Sequence, residues 1–412
     1  MMTGKKDIKT AISRRLLGHP IFYICRDIER ALGLYPEFPG YIIITNTSPF
    51  SVQLAKKYRQ IVLIKEKKNL DTWQLLEHPR TKKNIKRGDH ILVFKNTPQI
   101  EQLCRKNGWK LLNPTAKLAG EVEEKISQVK WLGPLKKYLP PCRITIGKKI
   151  KWTGRKFILQ FNRSHTGSGT LLVSSRKQLK EIQEKFPQRE VRITEYIPGP
   201  LFTNNNIVWD DKVLTGNINY QITGLKPFTD SPFATIGNDW ALPHKILSNK
   251  QIKQYNKIAT AVGRRLKKSG WKGLFGIDVV RHAKTGKLYL LEINARQPAS
   301  TSYESQLQSL RIPRRLSPRN DNDCTTFEAH LGSLLGLKPN NFKLITITDG
   351  AQIIQRVTGK KIRLNEKLLI KKGFNLIKYN NDKPGSDYLR IQSKQGIMSK
   401  HNKFNKHGLE IL

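Results

Sequence analysis

Over the first third of the chain, short apolar runs alternate with longer stretches of polar periodicity. Residues 41–45 (YIIIT), 61–64 (IVLI) and 91–94 (ILVF) are continuous and rich in β-branched side chains, as strands buried on both faces of a parallel sheet are. Residues 52–58 and 98–107 fit helices. The second has Thr97 as N-cap, Pro98 in its first turn, Ile100, Leu103 and Cys104 at helical spacing, and Gly108 as its stop. The alternation predicts an open α/β domain over residues 1–118.

Further on, a helix is predicted over 119–132, where Val122, Ile126, Val129 and Leu132 fall near one face and Gly133-Pro134 ends it. Pro140-Pro141 reads as a connector. Strands are expected at 157–161, 170–174 and 191–197, with a glycine-containing loop at 162–169 and a helix at 178–186. Residues 251–268 hold Ile252, Tyr255, Ile258, Val262 and Leu266 in helical register and stop at Gly270. Two strands, 274–282 and 288–296, flank the turn Lys284-Thr285-Gly286. Residues 305–322, with four arginines and two prolines, read as a loop or substrate lid; 325–335 fit a helix. The remaining segment, 336–412, reads as β-rich with Gly-centred turns, and no internal repeat is present.

Composition narrows the class. The chain has 412 residues, of which 38% are hydrophobic, enough to build cores and unlike a disordered protein. No run approaches the roughly 18 apolar residues of a spanning helix. Lys5, Lys6, Lys9, Arg14 and Arg15 precede only the short apolar run 21–25, so a secretory signal is not expected. Cys25, Cys104, Cys142 and Cys324 are scattered singly, as reduced thiols in a cytoplasmic protein are. The net charge of +44 suggests nucleic acid, but it is spread evenly: +13, +10, +12 and +9 over residues 1–115, 116–230, 231–345 and 346–412. No basic module and no basic-aromatic interleaving stands out, so nucleic acid stays open as a secondary partner and is not favoured.

The chemistry concentrates in residues 273–296. Alternate residues of a strand share a face, so Glu292, Asn294 and Arg296 point one way and Tyr289, Leu291 and Ile293 the other. A three-residue hairpin loop at Lys284-Thr285-Gly286 pairs Ala283 with Lys287, and the same register sets Asp278 opposite Glu292, about 5 Å away. Two carboxylates so close need a cation between them or a shared proton. With Asn294 one step along, the donors are all hard oxygens, which suits Mg²⁺ or Mn²⁺ and not zinc. Arg296 adds a fixed positive charge beside them.

The pattern Gly-x-Asp278, hairpin, Leu-Glu292-x-Asn294-x-Arg296 resembles the metal and catalytic strand pair of the ATP-grasp superfamily, which includes biotin carboxylase, carbamoyl-phosphate synthetase and D-alanine ligase. The resemblance spans about residues 110–300. It implies that Asp278, Glu292 and Asn294 hold Mg²⁺ on ATP phosphates, that Arg296 stabilises acyl-phosphate chemistry, and that Lys125 contacts the phosphates. It likewise implies a phosphate-covering flap with Gly167 and Gly169, and an adenine-contacting strand at Glu195-Tyr196-Ile197. Gln160 stands where many members carry a phosphate-binding Lys, and compensation from Arg163 or His165 is expected. The implied architecture is α/β (α+β): an N-terminal open α/β domain (1–118), a two-lobed ATP-grasp fold (119–200 and 201–335), and a small β-rich C-terminal region (336–412). The implied activity is ATP- and Mg²⁺-dependent ligation of a small carboxylate to an amine, with substrate contacts from 297–304 and the arginine loop 311–319. The alternatives are ATP binding without catalysis and nucleic-acid binding. Many relatives dimerise, so a homodimer is compatible with the resemblance.

Overall fold

The structure, a computed structural model, describes residues 7–162, 169–310, 322–359 and 364–412; the arginine loop 311–319 lies outside these. The N-terminal part is a parallel sheet of β1 (Ile21–Cys25), β2 (Tyr41–Asn46), β3 (Ile61–Ile64), β4 (His90–Val93) and β5 (Lys110–Leu111), in the order β3-β2-β1-β4-β5. The three predicted apolar runs are β2, β3 and β4. The central strand β1 is the apolar run 21–25, weighed in the sequence only as a signal segment and not as a strand, although it is continuous like the other three. The helix after β4 is Pro98–Asn107, N-capped by the Thr97 side chain and closed by Gly108 at φ 68°.

The middle of the chain forms an antiparallel sheet of β6 (Cys142–Ile146), β7 (Phe157–Phe161), β8 (Thr170–Val173) and β9 (Glu190–Glu195), in the order β6-β9-β7-β8. Phe157, Leu159, Phe161, Val173, Val191 and Ile193 form its apolar face, packed with Leu179 of the helix Arg176–Lys185. By register, Cys142, Gln160, Thr170, Arg192 and Thr194 share the opposite face.

A large antiparallel sheet follows, built from β10 (Leu201–Trp209), β11 (Lys212–Leu214), β12 (Asn219–Thr223), β13 (Thr235–Asp239), β14 (Gly273–Arg281) and β15 (Leu288–Asn294). After a short parallel ladder of β16 (Asp323–Cys324) and β17 (Lys343–Leu344), strands β18 (Ala351–Arg356), β19 (Asn375–Lys378) and β20 (Asp387–Ser393) extend the same large sheet through the β13–β18 pairing. The C-terminal segment is therefore β-rich as expected, and its main strands continue the preceding sheet. One face is apolar and covered by the helix Asn249–Lys268, whose Tyr255, Ile258, Ala259, Val262 and Leu266 are fully buried. Each buried aliphatic side chain here contributes about 1.5–3 kcal/mol of transfer free energy. The other face is amide-rich: Asn238 Nδ2 donates to Asn219 at 2.8 Å, Gln352 Nε2 to Asn238 at 3.0 Å, and Arg390 Nη1 to Gln352 at 3.0 Å. The helix Thr326–Leu334 is wedged between this sheet and the parallel one, with Phe327 and Leu331 in a core shared with Tyr23, Tyr41, Trp209 and Leu274.

Two expectations are corrected. The helix predicted over 119–132 is two, Ala116–Glu123 and Ser127–Leu132. The chain opens between them because the backbone N–H groups of Lys125 and Ile126 donate to the Asn162 carbonyl and side-chain oxygens instead of continuing the helix. Residues 301–310 are helical, including 305–310 of the predicted loop. Thr301, Ser302, Glu304, Ser305 and Gln308 are buried there through hydrogen bonds, so no apolar period marks the helix. Among the described residues no helix is long and apolar enough to cross a membrane.

Glu304, on that helix, is fully buried and accepts from Asn205 (2.6 Å), Thr326 (2.8 Å) and the Trp240 indole (3.3 Å). Burial pushes its carboxyl up to about 7, against the pull of those donors. With the folded value above the unfolded carboxylate value of roughly 4.3, the native state keeps a proton that the unfolded chain releases, so stability falls as pH rises from about 4 to about 7. Urea midpoints measured across that window decline in the wild type, and Glu304→Gln makes the decline shallower. Asp27 and Asp278, also raised by burial to about 7, leave a residual slope of the same sign, and His330, lowered by burial to about 3, opposes it below its unfolded value of about 6.5.

Candidate active site

Asp278 lies on β14 directly opposite Glu292 on β15, and Gly276 opposite Asn294. The route to this pairing differs from the expected one. The hairpin loop is 283–286, four residues long: His282 N–H donates to the Lys287 carbonyl at 2.9 Å, while the His282 ring nitrogen accepts from the N–H groups of Lys284 and Thr285. Val279 therefore pairs with Leu290, and a β-bulge at Leu291 absorbs the extra residue before Glu292. The bulge also reverses side-chain parity. Leu288 and Leu290 enter the core with Ile293, whereas Tyr289 and Leu291, expected beside Ile293, are only half-buried on the other side.

The two carboxylates are electrostatically unequal. Burial, and then the Glu292 charge, hold Asp278 above the usual carboxylate range. Burial acts in the same direction on Glu292, but the Lys125 ammonium and the Arg296 guanidinium outweigh it and hold Glu292 below that range. Lys125 forms an ion pair with Glu292. It comes from the break between the two helices, whose pairing with Asn162 ties it to the end of β7. A carboxylate poised between a second acid and an ammonium is a site prepared for cationic and anionic groups side by side.

Arg296 continues from β15 and forms an ion pair with Glu123, the last residue of the helix Ala116–Glu123. Lys95, just beyond β4, reaches the same carboxylate at 2.5 Å. The two cations outweigh the effect of burial and keep the Glu123 carboxyl below its ordinary range. The end of β15, the helix entering the middle sheet and the segment after β4 thus meet at one carboxylate. Glu123 and Lys95 escaped the sequence reading; the available signal was an acid two residues before Lys125 in a chain where acids are scarce.

The donor set fits a hard divalent cation. Asp278 Oδ1 is buried without a hydrogen-bond partner, Glu292 faces it, and the Asn294 amide lies one step along the same face at 9% exposure. Among the described residues no group of three or more His, Cys, Asp or Glu side chains gathers to hold a metal, here or elsewhere, so the third donor of this set is the Asn294 amide. Mixed carboxylate and amide oxygens match Mg²⁺ or Mn²⁺.

Of the remaining predicted residues, Gln160 lies on the cleft-side face of the middle sheet, its amide 3.4 Å from the Thr170 hydroxyl. The Gly169 carbonyl accepts from Phe161 N–H at 3.0 Å. Gly167, Arg163 and His165 lie outside the described residues. Glu195 ends β9, and its side chain shares the parity of Val191 and Ile193, away from the cleft; Tyr196 is exposed and Ile197 is 9% exposed. In the 297–304 stretch, expected to border substrate, Gln297 and Ser302 both donate to the Arg30 carbonyl, so these side chains dock the N-terminal region.

Solved structures share this fold over nearly their whole length. An N5-carboxyaminoimidazole synthetase from Staphylococcus aureus complexed with ADP superposes with a TM-score of 0.64 at 13% identity, over 93% of this chain and 94% of that one. The chain has the ATP-grasp fold. An L-amino acid ligase from Bacillus licheniformis (TM-score 0.63, 12% identity, 92% and 93% covered) and a phosphoribosylamine–glycine ligase from Thermotoga maritima (0.62, 13%, 95% and 96%) are similar to the same extent. No family model matches the chain, and no curated protein matches it by sequence. Because the coverage runs to both ends, the ATP-grasp likeness includes the parallel sheet and the C-terminal strands of the large sheet.

Replacing Glu123 by Ala leaves Lys95 without its counter-charge and Arg296 with only the pull of the Glu292 and Asp278 carboxylates. The expected cost is about 2 kcal/mol, below the roughly 3–5 kcal/mol of a fully buried pair because both cations keep part of their hydration. A denaturant midpoint unchanged from wild type would contradict the ion-pair account.

Proposed function

We propose that the chain is an ATP-dependent, Mg²⁺-dependent ligase that activates a small substrate carboxylate as an acyl phosphate for attack by an amine, releasing ADP and phosphate. The observation that carries the reading is the facing Asp278–Glu292 pair, Asp278 buried and Glu292 half-buried, with Asn294 beside it and Arg296 following on the same strand. The structural neighbours named as synthetases and ligases, one of them complexed with ADP, support it.

In this reading Asp278, Glu292 and Asn294 would hold Mg²⁺, which when bound neutralises phosphate charge and polarises the transferring group. Lys125 and Arg296 present fixed cations at the carboxylate pair, where negative charge builds during phosphoryl transfer. Glu123 and Lys95 hold the Arg296 side chain in place and so limit the reorganisation it needs. The flap glycines Gly167 and Gly169 offer backbone N–H groups to phosphate oxygens, and the backbone of 195–197 the edge that reads adenine. Gln160 contributes a neutral hydrogen bond. The segments 119–200 and 201–335 are assigned as the two grasping lobes, with 1–118 ahead of them and 336–412 completing the second lobe's sheet.

Because Gln160 brings no charge to the phosphates, a second reading is ATP binding without turnover. The two readings separate in a screen of ADP release over carboxylic acids crossed with amines. Catalysis predicts ADP release with at least one combination, lost by about 100-fold or more in Glu292→Gln and Arg296→Ala proteins that retain the wild-type circular dichroism. Full turnover by a folded Glu292→Gln protein overturns the assignment, and nucleotide binding with no release under any combination favours the second reading.

A further inference from the structure

Arg192, on the middle sheet, is a buried guanidinium that its surroundings satisfy only in part. It sits in the centre of β9 between Val191 and Ile193, which point into the apolar core under the helix Arg176–Lys185. Its own side chain takes the opposite face with Cys142, Gln160 and Thr194, the face on which Cys142 packs against the core of the large sheet and the Glu292 carboxylate acts on Arg192. Arg192 is 1% exposed, and its Nε and Nη1 have no hydrogen-bond partner. Burial works against its charge; the influences favouring that charge are the Cys142 thiol and the carboxylate of Glu292. A guanidinium kept charged with donors unmet is costly to bury, and a stabilising anion would offset that cost.

Its position says which anion. Arg192 pairs in register with Gln160, two residues before Asn162 where the flap begins. In the other direction Glu195, the first residue of the segment assigned to adenine, is three residues along the strand, about 10 Å at 3.3 Å per residue. That spacing suits a nucleoside with its base at one end of β9 and its phosphates at the other. The fork of a guanidinium also matches phosphate oxygens in a way a neutral amide does not.

We propose that Arg192 is the fixed cation that binds the phosphate chain of the nucleotide from the middle sheet, supplying the charge that Gln160 lacks. The proposal rests on the ATP-dependent reading above and requires no contribution from Arg163 or His165.

Calorimetric binding of ATP and of adenosine, each with Mg²⁺, tests it in the wild type, Arg192→Gln and Arg192→Lys, with thermal unfolding recorded alongside. The expected result is ATP affinity lowered about 10- to 100-fold in Arg192→Gln, the loss of a charged hydrogen-bond set, with adenosine affinity held within about twofold. Arg192→Lys keeps a charge without the fork and falls between, and it carries the test if the glutamine variant does not fold. Equal loss of ATP and adenosine, or ATP affinity unchanged in a folded variant, overturns the proposal while leaving the ligase reading intact. A wild-type protein that binds neither nucleotide overturns both.

Discussion

Two carboxylates held opposite each other on neighbouring strands, inside a protein with a net charge of +44, set the terms for the rest of the structure. Burial and mutual repulsion make ionisation of both acids unfavourable unless positive charge is brought to them. The fold brings it from two directions. Lys125 arrives from the helix break beside the flap, and Arg296 from the strand that carries Glu292 itself. Neither cation is left to solvent: Arg296 is balanced by Glu123, which is balanced in turn by Lys95 from the parallel sheet. The charges form a ladder of alternating sign that ties three parts of the molecule to one site, and none of those parts makes the site alone.

The same geometry explains how the large sheet is divided. Its apolar face, covered by the helix Asn249–Lys268, anchors β14 and β15 through Ile277, Val279, Leu290 and Ile293. This leaves the opposite face free to carry Asp278, Asn294, Gln221, Asn238 and Gln352, all of them buried, with Gln352 bonded to Asn238 and Asn238 to Asn219. A polar face of this kind is tolerable only when its groups satisfy each other or a ligand, and the unpartnered oxygen of Asp278 falls where the proposed metal would bind. On the middle sheet, Arg192 and Gln160 repeat the division, with apolar residues under a helix and polar ones toward the cleft.

Much of the fold was legible where burial is periodic. The runs that became β2, β3 and β4, the capped helix after β4 and the long amphipathic helix before β14 all announced themselves by spacing and end signals. Elements that bury polar residues did not. The helix Thr301–Leu310 packs through Glu304, Ser305 and Gln308, so its inward face looked like loop, and the break at Lys125 depends on Asn162, 37 positions away in sequence. The Asp278–Glu292 pairing is instructive because two departures cancelled: the turn is a residue longer than the expected one, and the bulge at Leu291 removes the difference. Below the bulge the parity had to be wrong, and Leu290 is in the core where Leu291 was expected.

What the amino-acid sequence determined by itself is the chemistry on offer: the acids, amide and arginine within a single predicted hairpin, the glycines of a flap, and the neutral Gln160 in an otherwise cation-rich chain. Those are local properties, set by residue type and by the two-residue period of a strand. What only the tertiary structure decided is which charges meet. That Lys125 faces Glu292, that Glu123 holds Arg296 and Lys95 together, and that Arg192 is buried with its donors open all depend on contacts between segments far apart in the chain. Electrostatic energy follows distance and burial, and neither is written in sequence separation.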